Sequence, residues 1–122
     1  MADILLAEDD ASMLEFLKHA LANAGHSVLA CNNGLEALDL LIQGKSFDLL
    51  LTDIVMPGMD GVELAQKASD ICPDMKVMFI TGFAAVAMAN TAEVSNTNTK
   101  VLSKPFHLND LVDQVNTLLS AA

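Results

Sequence analysis

The sequence LLLTDIVMPGMDG, residues 49–61, is the strongest single indication of the fold. Its apolar run ends at Asp53 and is typical of a strand that is covered on both faces in a parallel sheet. Asp60 comes after a short loop, and Glu63 follows it in a capping-box-like arrangement, so a helix should begin there. This stretch therefore predicts a buried strand, a loop and a helix, which together make one βα unit.

Four other short apolar runs lie before and after this unit, and the residues between them recur at helical spacing. Gly25, Gly44 and Pro73 are expected to end three of the helices. Residues 83–99 are ambiguous, because their Ala- and Met-rich start favours a short helix while residues 95–99 are polar and aperiodic. Five βα units in series imply right-handed crossovers and a doubly wound α/β sheet. The four runs are Ile4–Ala7, Val28–Cys31, Val77–Ile80 and Val101–Leu102.

The length and charge of the chain limit its organisation and its partners. With 122 residues, of which 52% are hydrophobic, it is expected to form a single domain, residues 1–122, with no output domain. Sixteen acidic residues against six lysines and no arginine leave a net charge of −10. This charge repels nucleic acid and anionic lipid, so a protein partner with basic residues is favoured.

The sequence also predicts a cytoplasmic location. Cys31 and Cys72 are isolated and lack metal-ligand spacing, which favours free thiols in a reducing compartment. The amino-terminal apolar run covers only Ile4–Ala7, too short for a signal peptide, and no apolar stretch approaches the roughly 20 residues that cross a bilayer.

Polar residues follow the predicted strands at the points where ligands bind in open α/β sheets. Glu8, Asp9 and Asp10 follow the first strand, and Asp53 ends the third. The fourth strand ends in Thr81-Gly82, and the fifth is followed by Ser103-Lys104-Pro105. Parallel strands would bring these residues together at one edge of the sheet.

Such a cluster suits phosphoryl chemistry. Carboxylates that repel each other are stabilised by a hard divalent cation, and Mg²⁺ fits a site with few carboxylates. Asp53 can act as a nucleophile, while Lys104 and the Thr81 hydroxyl hold phosphoryl oxygens. A metal-dependent phosphatase acting on outside substrates is disfavoured, because haloacid-dehalogenase-type enzymes carry a second Asp two residues after the nucleophile. That position is Val55 here.

Four motifs, in order and at compatible spacing, resemble the receiver domains of two-component response regulators. The resemblance implies a flavodoxin-like (βα)5 three-layer sandwich around a five-stranded parallel sheet of strand order 2-1-3-4-5. It also implies Mg²⁺ as cofactor and no enzymatic activity beyond self-catalysed phosphoryl acceptance and hydrolysis. The motifs are Leu5–Asp10, Leu50–Gly61, Ile80–Gly82 and Lys104–Phe106.

The resemblance assigns roles to the residues of the acidic cluster. Asp53 matches the phosphoacceptor and also a metal ligand, and Asp9 matches the direct metal ligand. Glu8 matches the acid that acts through water, and the Val55 carbonyl matches the backbone metal ligand.

The resemblance also assigns the residues that contact phosphate and switch. Thr81, Gly82 and Lys104 match these positions, and the bond before Pro105 is cis in the family. The switch aromatic three residues before the lysine is replaced by Val101. A partner surface is expected at Phe83, Val86 and Val101.

A finer resemblance, carried by residues 101–108 and the terminal Ala121-Ala122, is to stand-alone receivers of the CpdR kind. It implies phosphorylation by a histidine kinase or phosphotransferase and control of a downstream protein effector, the ClpXP protease. The alternative is a phosphorelay intermediate that passes its phosphoryl group to a histidine phosphotransferase.

Several polar and apolar residues have simpler interpretations. Asp10 and Asp60 are predicted to cap helices, and the histidines at 19, 26 and 107 to be solvated surface residues. Met56 and Met59 are interpreted as core residues, with exposure at a partner contact as the alternative.

Overall fold

The computed structural model describes residues 2–81, 99–103 and 107–120, in which five parallel strands form one sheet. The strand order is β2-β1-β3-β4-β5, as the family resemblance implied. The strands are β1 Asp3–Ala7, β2 Ser27–Cys31, β3 Leu49–Asp53, β4 Lys76–Thr81 and β5 Thr99–Ser103.

Most strands extend beyond the apolar runs that predicted them, because ladder hydrogen bonds join backbone groups whatever the side chain. The largest difference is in β5, which begins at Thr99 opposite Val77, two residues before the apolar pair Val101–Leu102. The helix considered for residues 83–99 lies, apart from Thr99, outside the described residues.

Helices cover both faces of the sheet, which produces the three-layer sandwich. Ala37 of α2 and Leu64 of α3 pack on Leu5 and other strand residues of one face. Leu17 of α1 and Leu111 of α4 pack on the opposite face. Every strand residue of β3 is buried, as expected between two helical layers. The helices are α1 Ala11–Asn23, α2 Gly34–Ile42, α3 Gly61–Ile71 and α4 Leu108–Ser120. Within the described ranges, none of them is long and apolar enough to cross a bilayer.

Side-chain caps begin three of these helices. Asp10 Oδ1 accepts a hydrogen bond from Met13 N at 3.0 Å, and Asp60 Oδ1 accepts one from Glu63 N at 2.8 Å. Both predicted caps are therefore confirmed. Asn33, which the sequence analysis did not single out, caps α2 in the same way.

The loop between β3 and α3 buries its methionines. Met56 and Met59 belong to the core cluster under α2 and α3, so the interpretation as core residues is confirmed and the exposed alternative is wrong. Val55 is instead the exposed apolar side chain of this loop.

His26, just before β2, connects the segment before β1 to α4 at the amino edge of the sheet, the edge where the strands begin. Its Nδ1 accepts a hydrogen bond from the Ala2 N–H at 3.2 Å, so Nε2 carries the proton and donates to Asn116 Oδ1 on α4 at 3.1 Å. The prediction of a solvated side chain is therefore wrong for His26. It is confirmed for His19 and His107, which are exposed.

Candidate functional site

The register of β1 and β3 places the acidic residues side by side. Ala7 pairs with Thr52, so Glu8 and Asp53 come next on two adjacent parallel strands at the carboxyl edge of the sheet. One carboxylate oxygen each from Glu8, Asp9 and Asp53 lies within 4.8 Å of the others. The structure therefore brings together the three carboxylates that the sequence analysis singled out.

Glu8 forms the inner wall of this cluster and Asp9 its rim. The Glu8 side chain is only 1% exposed, whereas Asp9 is open to solvent. The Glu8 N–H donates to the carbonyl of Cys31 at 3.1 Å, and Glu8 Oε2 accepts from the Asp10 N–H at 3.1 Å. These bonds fix the direction of the Glu8 carboxylate, because they hold both its backbone and its side chain.

Asp53 lies at the very end of β3 and is 9% exposed. Its Oδ1 accepts a hydrogen bond of 2.7 Å from the N–H of Ile54. The Thr52 hydroxyl donates to the Asp53 carbonyl at 2.8 Å. The carboxyl group is thus held at a set orientation, which is what a nucleophile needs for a productive approach.

Gly61 is a residue of the site whose role the sequence analysis missed. A Cβ at this position would lie 2.0 Å from the Asp53 carbonyl oxygen and 3.0 Å from Ile54 Cα. The Gly61 N–H donates to the Ile54 carbonyl at 2.8 Å, so the first turn of α3 rests directly on the backbone of the site. A glycine directly after the capping residue Asp60 is the sequence feature that could have indicated this close approach. Only the packing of α3 on the Asp53 backbone shows why position 61 excludes a side chain.

The donor set of the cluster fits a hard divalent cation. All three ligand groups are carboxylates, and oxygen ligands are those that Mg²⁺ prefers. Three like charges this close repel one another, and a divalent cation would offset that repulsion. Glu8, Asp9 and Asp53 would hold such an ion. The assignment of the Val55 carbonyl as a fourth ligand stays a prediction.

The described residues include only some of the predicted phosphate-contacting and partner-surface positions. The backbone of Thr81 ends β4, beside β3, and pairs with Ser103. Val101 is half-buried and packs against the core cluster under α2 and α3. The other predicted positions lie outside the described residues: Gly82, Phe83, Val86, Lys104 and Pro105.

Burial raises the pKa of the Cys31 thiol, next to this site, to about 12, and the neighbouring Glu36 carboxylate adds to the shift. Cys31 is therefore a neutral, inert thiol at the end of β2. Both cysteines are free, in agreement with the prediction.

A parallel sheet of this order with an acidic cluster at its carboxyl edge defines the receiver class of signalling domains, and comparison with known proteins agrees. The chain belongs to the response regulator receiver domain family, whose sequence model matches residues 4–116. Receiver domains of two-component systems are in general non-enzymatic switches that are controlled by phosphorylation and use Mg²⁺.

Particular relatives share most of the chain. It is 56% identical over 122 residues to the response regulator receiver protein CpdR of Brucella abortus (strain 2308), covering 100% of both proteins. It is 33% identical over 119 residues to the sensor kinase CckA of the same organism, covering 97% of this chain and 12% of the kinase. A receiver protein from Sinorhizobium medicae WSM419 superposes with a TM-score of 0.88 at 34% identity, covering 98% of this chain and 94% of that one.

Proposed function

We propose that this receiver accepts a phosphoryl group on Asp53 from a histidine kinase or phosphotransferase and so switches its binding to a partner protein. The observation that carries the proposal is the position of Asp53, oriented by the Ile54 N–H and within 4.8 Å of two further carboxylates. We take the functional unit to be a single domain over residues 1–122.

The chemistry is a transfer between two phosphoryl carriers. The Asp53 carboxylate attacks the phosphorus of a phosphohistidine, a P–O bond forms, and the P–N bond breaks as the imidazole leaves and takes up a proton. The product is an acyl phosphate, which water later hydrolyses to inorganic phosphate and the free carboxylate. Glu8 and Asp9 would hold Mg²⁺, which offsets charge on the transferred group when it is bound.

The phosphoryl oxygens would be held by residues from β4 and from the segment after β5. The position of Thr81 supports this assignment, because Thr81 ends β4 and β4 is next to the strand that carries Asp53. We assign the Thr81 hydroxyl, the Gly82 amide and the Lys104 amine to these contacts, with the bond before Pro105 cis. Reorganisation of these contacts would carry the signal to Phe83, Val86 and Val101.

The downstream partner in this proposal is the ClpXP protease, for which the protein acts as a cytoplasmic adaptor. The 56% identity to CpdR over the full length of both chains supports a shared role. A net charge of −10 favours a protein partner with basic residues over nucleic acid or a membrane surface. Measuring the affinity of purified ClpX for the protein, with and without phosphorylation, tests this role separately from the chemistry.

Phosphoryl acceptance is tested with a small radiolabelled acyl phosphate and Mg²⁺. Wild-type protein should incorporate about one phosphoryl group per chain, and Asp53→Asn should incorporate none. Asp60→Asn is the matched control, because this carboxylate caps α3 outside the cluster and an amide can also cap. Equal labelling of wild type and Asp53→Asn would exclude Asp53 as the acceptor.

A phosphorelay intermediate is the second candidate, and the 33% identity to part of a sensor kinase favours it. In that case the phosphorylated protein would pass its group rapidly to a purified histidine phosphotransferase. A switch would instead retain the group in that mixture and bind its effector only when phosphorylated.

A further inference from the structure

Helix α2 carries an apolar stripe that the fold leaves uncovered. Leu35 is 60% exposed and Ile42 is 64% exposed, more than any other large apolar side chain of the described residues. Leu38 lies between them and is half-buried. The spacing i, i+3, i+7 places all three on one flank of the helix. We name Leu35, Leu38 and Ile42 the α2 stripe.

The α2 stripe begins beside the loop that follows Asp53. A Cβ at Gly58 would lie 4.0 Å from Leu35 Cδ1, and Gly34 approaches the backbone of Met59. The same loop exposes the side chain of Val55. The loop that follows Asp53 and the start of α2 are thus neighbours, and the exposed apolar surface of α2 is larger than a single scattered side chain.

Most of the exposed charged side chains on α2 and α3 are acidic. Glu36 and Asp39 are exposed on α2, and Glu63 and Asp70 are exposed on the neighbouring α3. Lys67 of α3 forms an ion pair with Glu63 at 3.6 Å, which offsets part of its charge. The exposed charges of these two helices are thus negative, with Lys67 as the exception.

This combination restricts the occupant of the surface. A second copy of the chain would bring another charge of −10 and the same acidic helices, and anionic lipid would be repelled in the same way. An apolar strip with basic flanks complements both the exposed apolar side chains and the negative charges of these helices. A short helix with one apolar face binds such a surface through residues at i, i+3 and i+7.

We propose that the α2 stripe is a docking site for an amphipathic helix of a partner protein, with leucine-like side chains on one face and Lys or Arg on its flanks. The site lies on the α2–α3 layer, which is separated by the sheet from α1 and α4. It does not depend on the phosphoryl chemistry, since all of its residues are present in the unmodified protein.

The test is a titration of the full chain with a synthetic peptide of about 18 residues, long enough to form a helix. The peptide has Leu at i, i+3, i+4 and i+7 and Lys elsewhere, and the control peptide has the same composition in scrambled order. Backbone amide NMR shifts map the contact, and fluorescence of a labelled peptide gives Kd. The variant Leu35→Ser/Ile42→Ser removes the stripe. Phe16→Ser is the matched control, because Phe16 is 46% exposed on α1, in the opposite layer.

The peptide should change the NMR shifts of backbone amides along α2 and the β3–α3 loop. It should bind at least about tenfold more weakly to the double variant and equally well to Phe16→Ser. The scrambled peptide should bind at least about tenfold more weakly to wild type. Equal Kd for wild type and the double variant, or shifts confined to α1 and α4, would overturn the proposal. The Asp53→Asn variant should bind like wild type, so failure of this surface and failure of phosphoryl acceptance are separate results.

Discussion

The carboxyl and amino edges of the sheet use polar side chains in opposite ways. At the carboxyl edge, Glu8, Asp9 and Asp53 lie within 4.8 Å of one another and share one sign of charge. At the amino edge, His26 binds the backbone of Ala2, just before β1, and the side chain of Asn116, and Asp48 Oδ2 accepts from the Asp3 N–H at 2.8 Å. The polar side chains of the amino edge bridge separate segments of the chain, whereas the carboxyl edge also brings three like-charged carboxylates together.

The difference indicates which edge serves stability and which serves function. Hydrogen bonds between a donor and an acceptor each contribute about 1 kcal/mol to folding, while clustered like charges oppose it. A protein retains such a repulsive cluster where a cation or a reaction uses it. Substitutions and cation binding at the two edges test this division.

The largest effect is expected where α3 rests on the carboxyl edge. Gly61→Ala places a methyl group 2.0 Å from the Asp53 carbonyl oxygen, so the backbone must move, at a cost of about 3 kcal/mol. At Gly44, near the amino edge, a methyl group meets no atom within 4 Å, and only the positive φ of 96° is strained. Gly44→Ala should cost about 1 kcal/mol. Urea unfolding measures both; equal losses would contradict the close contact at Gly61.

The second effect is stabilisation by Mg²⁺, which should act at the carboxyl edge. A cation that binds only the folded chain adds about 1.4 kcal/mol to the free energy of unfolding at ten times its Kd. Asp9→Asn removes one ligand of the cluster and should abolish most of this gain. His26→Ala, at the amino edge, should retain it. Thermal unfolding with and without Mg²⁺ checks the prediction, and an undiminished gain in Asp9→Asn would place the ion elsewhere.

The third effect concerns the amino edge. His26→Ala removes two hydrogen bonds and should lower the free energy of unfolding by about 1 kcal/mol. His19 is the matched control, because its 3.4 Å pair with Glu15 is exposed on α1 and such pairs contribute little. His19→Ala should therefore be nearly neutral. If both variants unfold at the same urea concentration, His26 does not join Ala2 to α4 in solution.

The smallest effect concerns the two cysteines. The pKa of Cys31 is raised to about 12, first by burial and then by Glu36, so its thiol is protonated at neutral pH. The pKa of Cys31 is higher in the folded chain than in the unfolded chain. The protonated thiol therefore makes its full contribution to the free energy of unfolding below about pH 8.5, and this contribution is lost as the pH rises towards 12. At pH 8, iodoacetamide should modify the half-buried Cys72 and leave Cys31 unmodified, as read by mass spectrometry. Modification of Cys31 at the rate of Cys72 would contradict its burial.

The features predicted correctly from sequence depend on short-range patterns. The caps at Asp10 and Asp60 each involve a partner three residues away, so the order of residues alone indicates them. The strands follow from apolar runs, and the meeting of Glu8 with Asp53 follows because parallel strands end at the same edge. The family motifs then supplied the strand order, which the structure and the family comparison confirm.

The features that required the tertiary structure depend on contacts between distant elements. His26 meets a partner 90 residues away, and no local pattern distinguishes it from the exposed His19. The exclusion of a side chain at Gly61 depends on how closely α3 approaches Asp53, and the exposure of Leu35 and Ile42 depends on where α2 lies on the sheet. The order of residues specifies the elements and the chemistry at their ends, because periodicity and capping act within a few residues. Packing decided which side chains are held, excluded or left uncovered, because it depends on the relative positions of layers far apart in the chain.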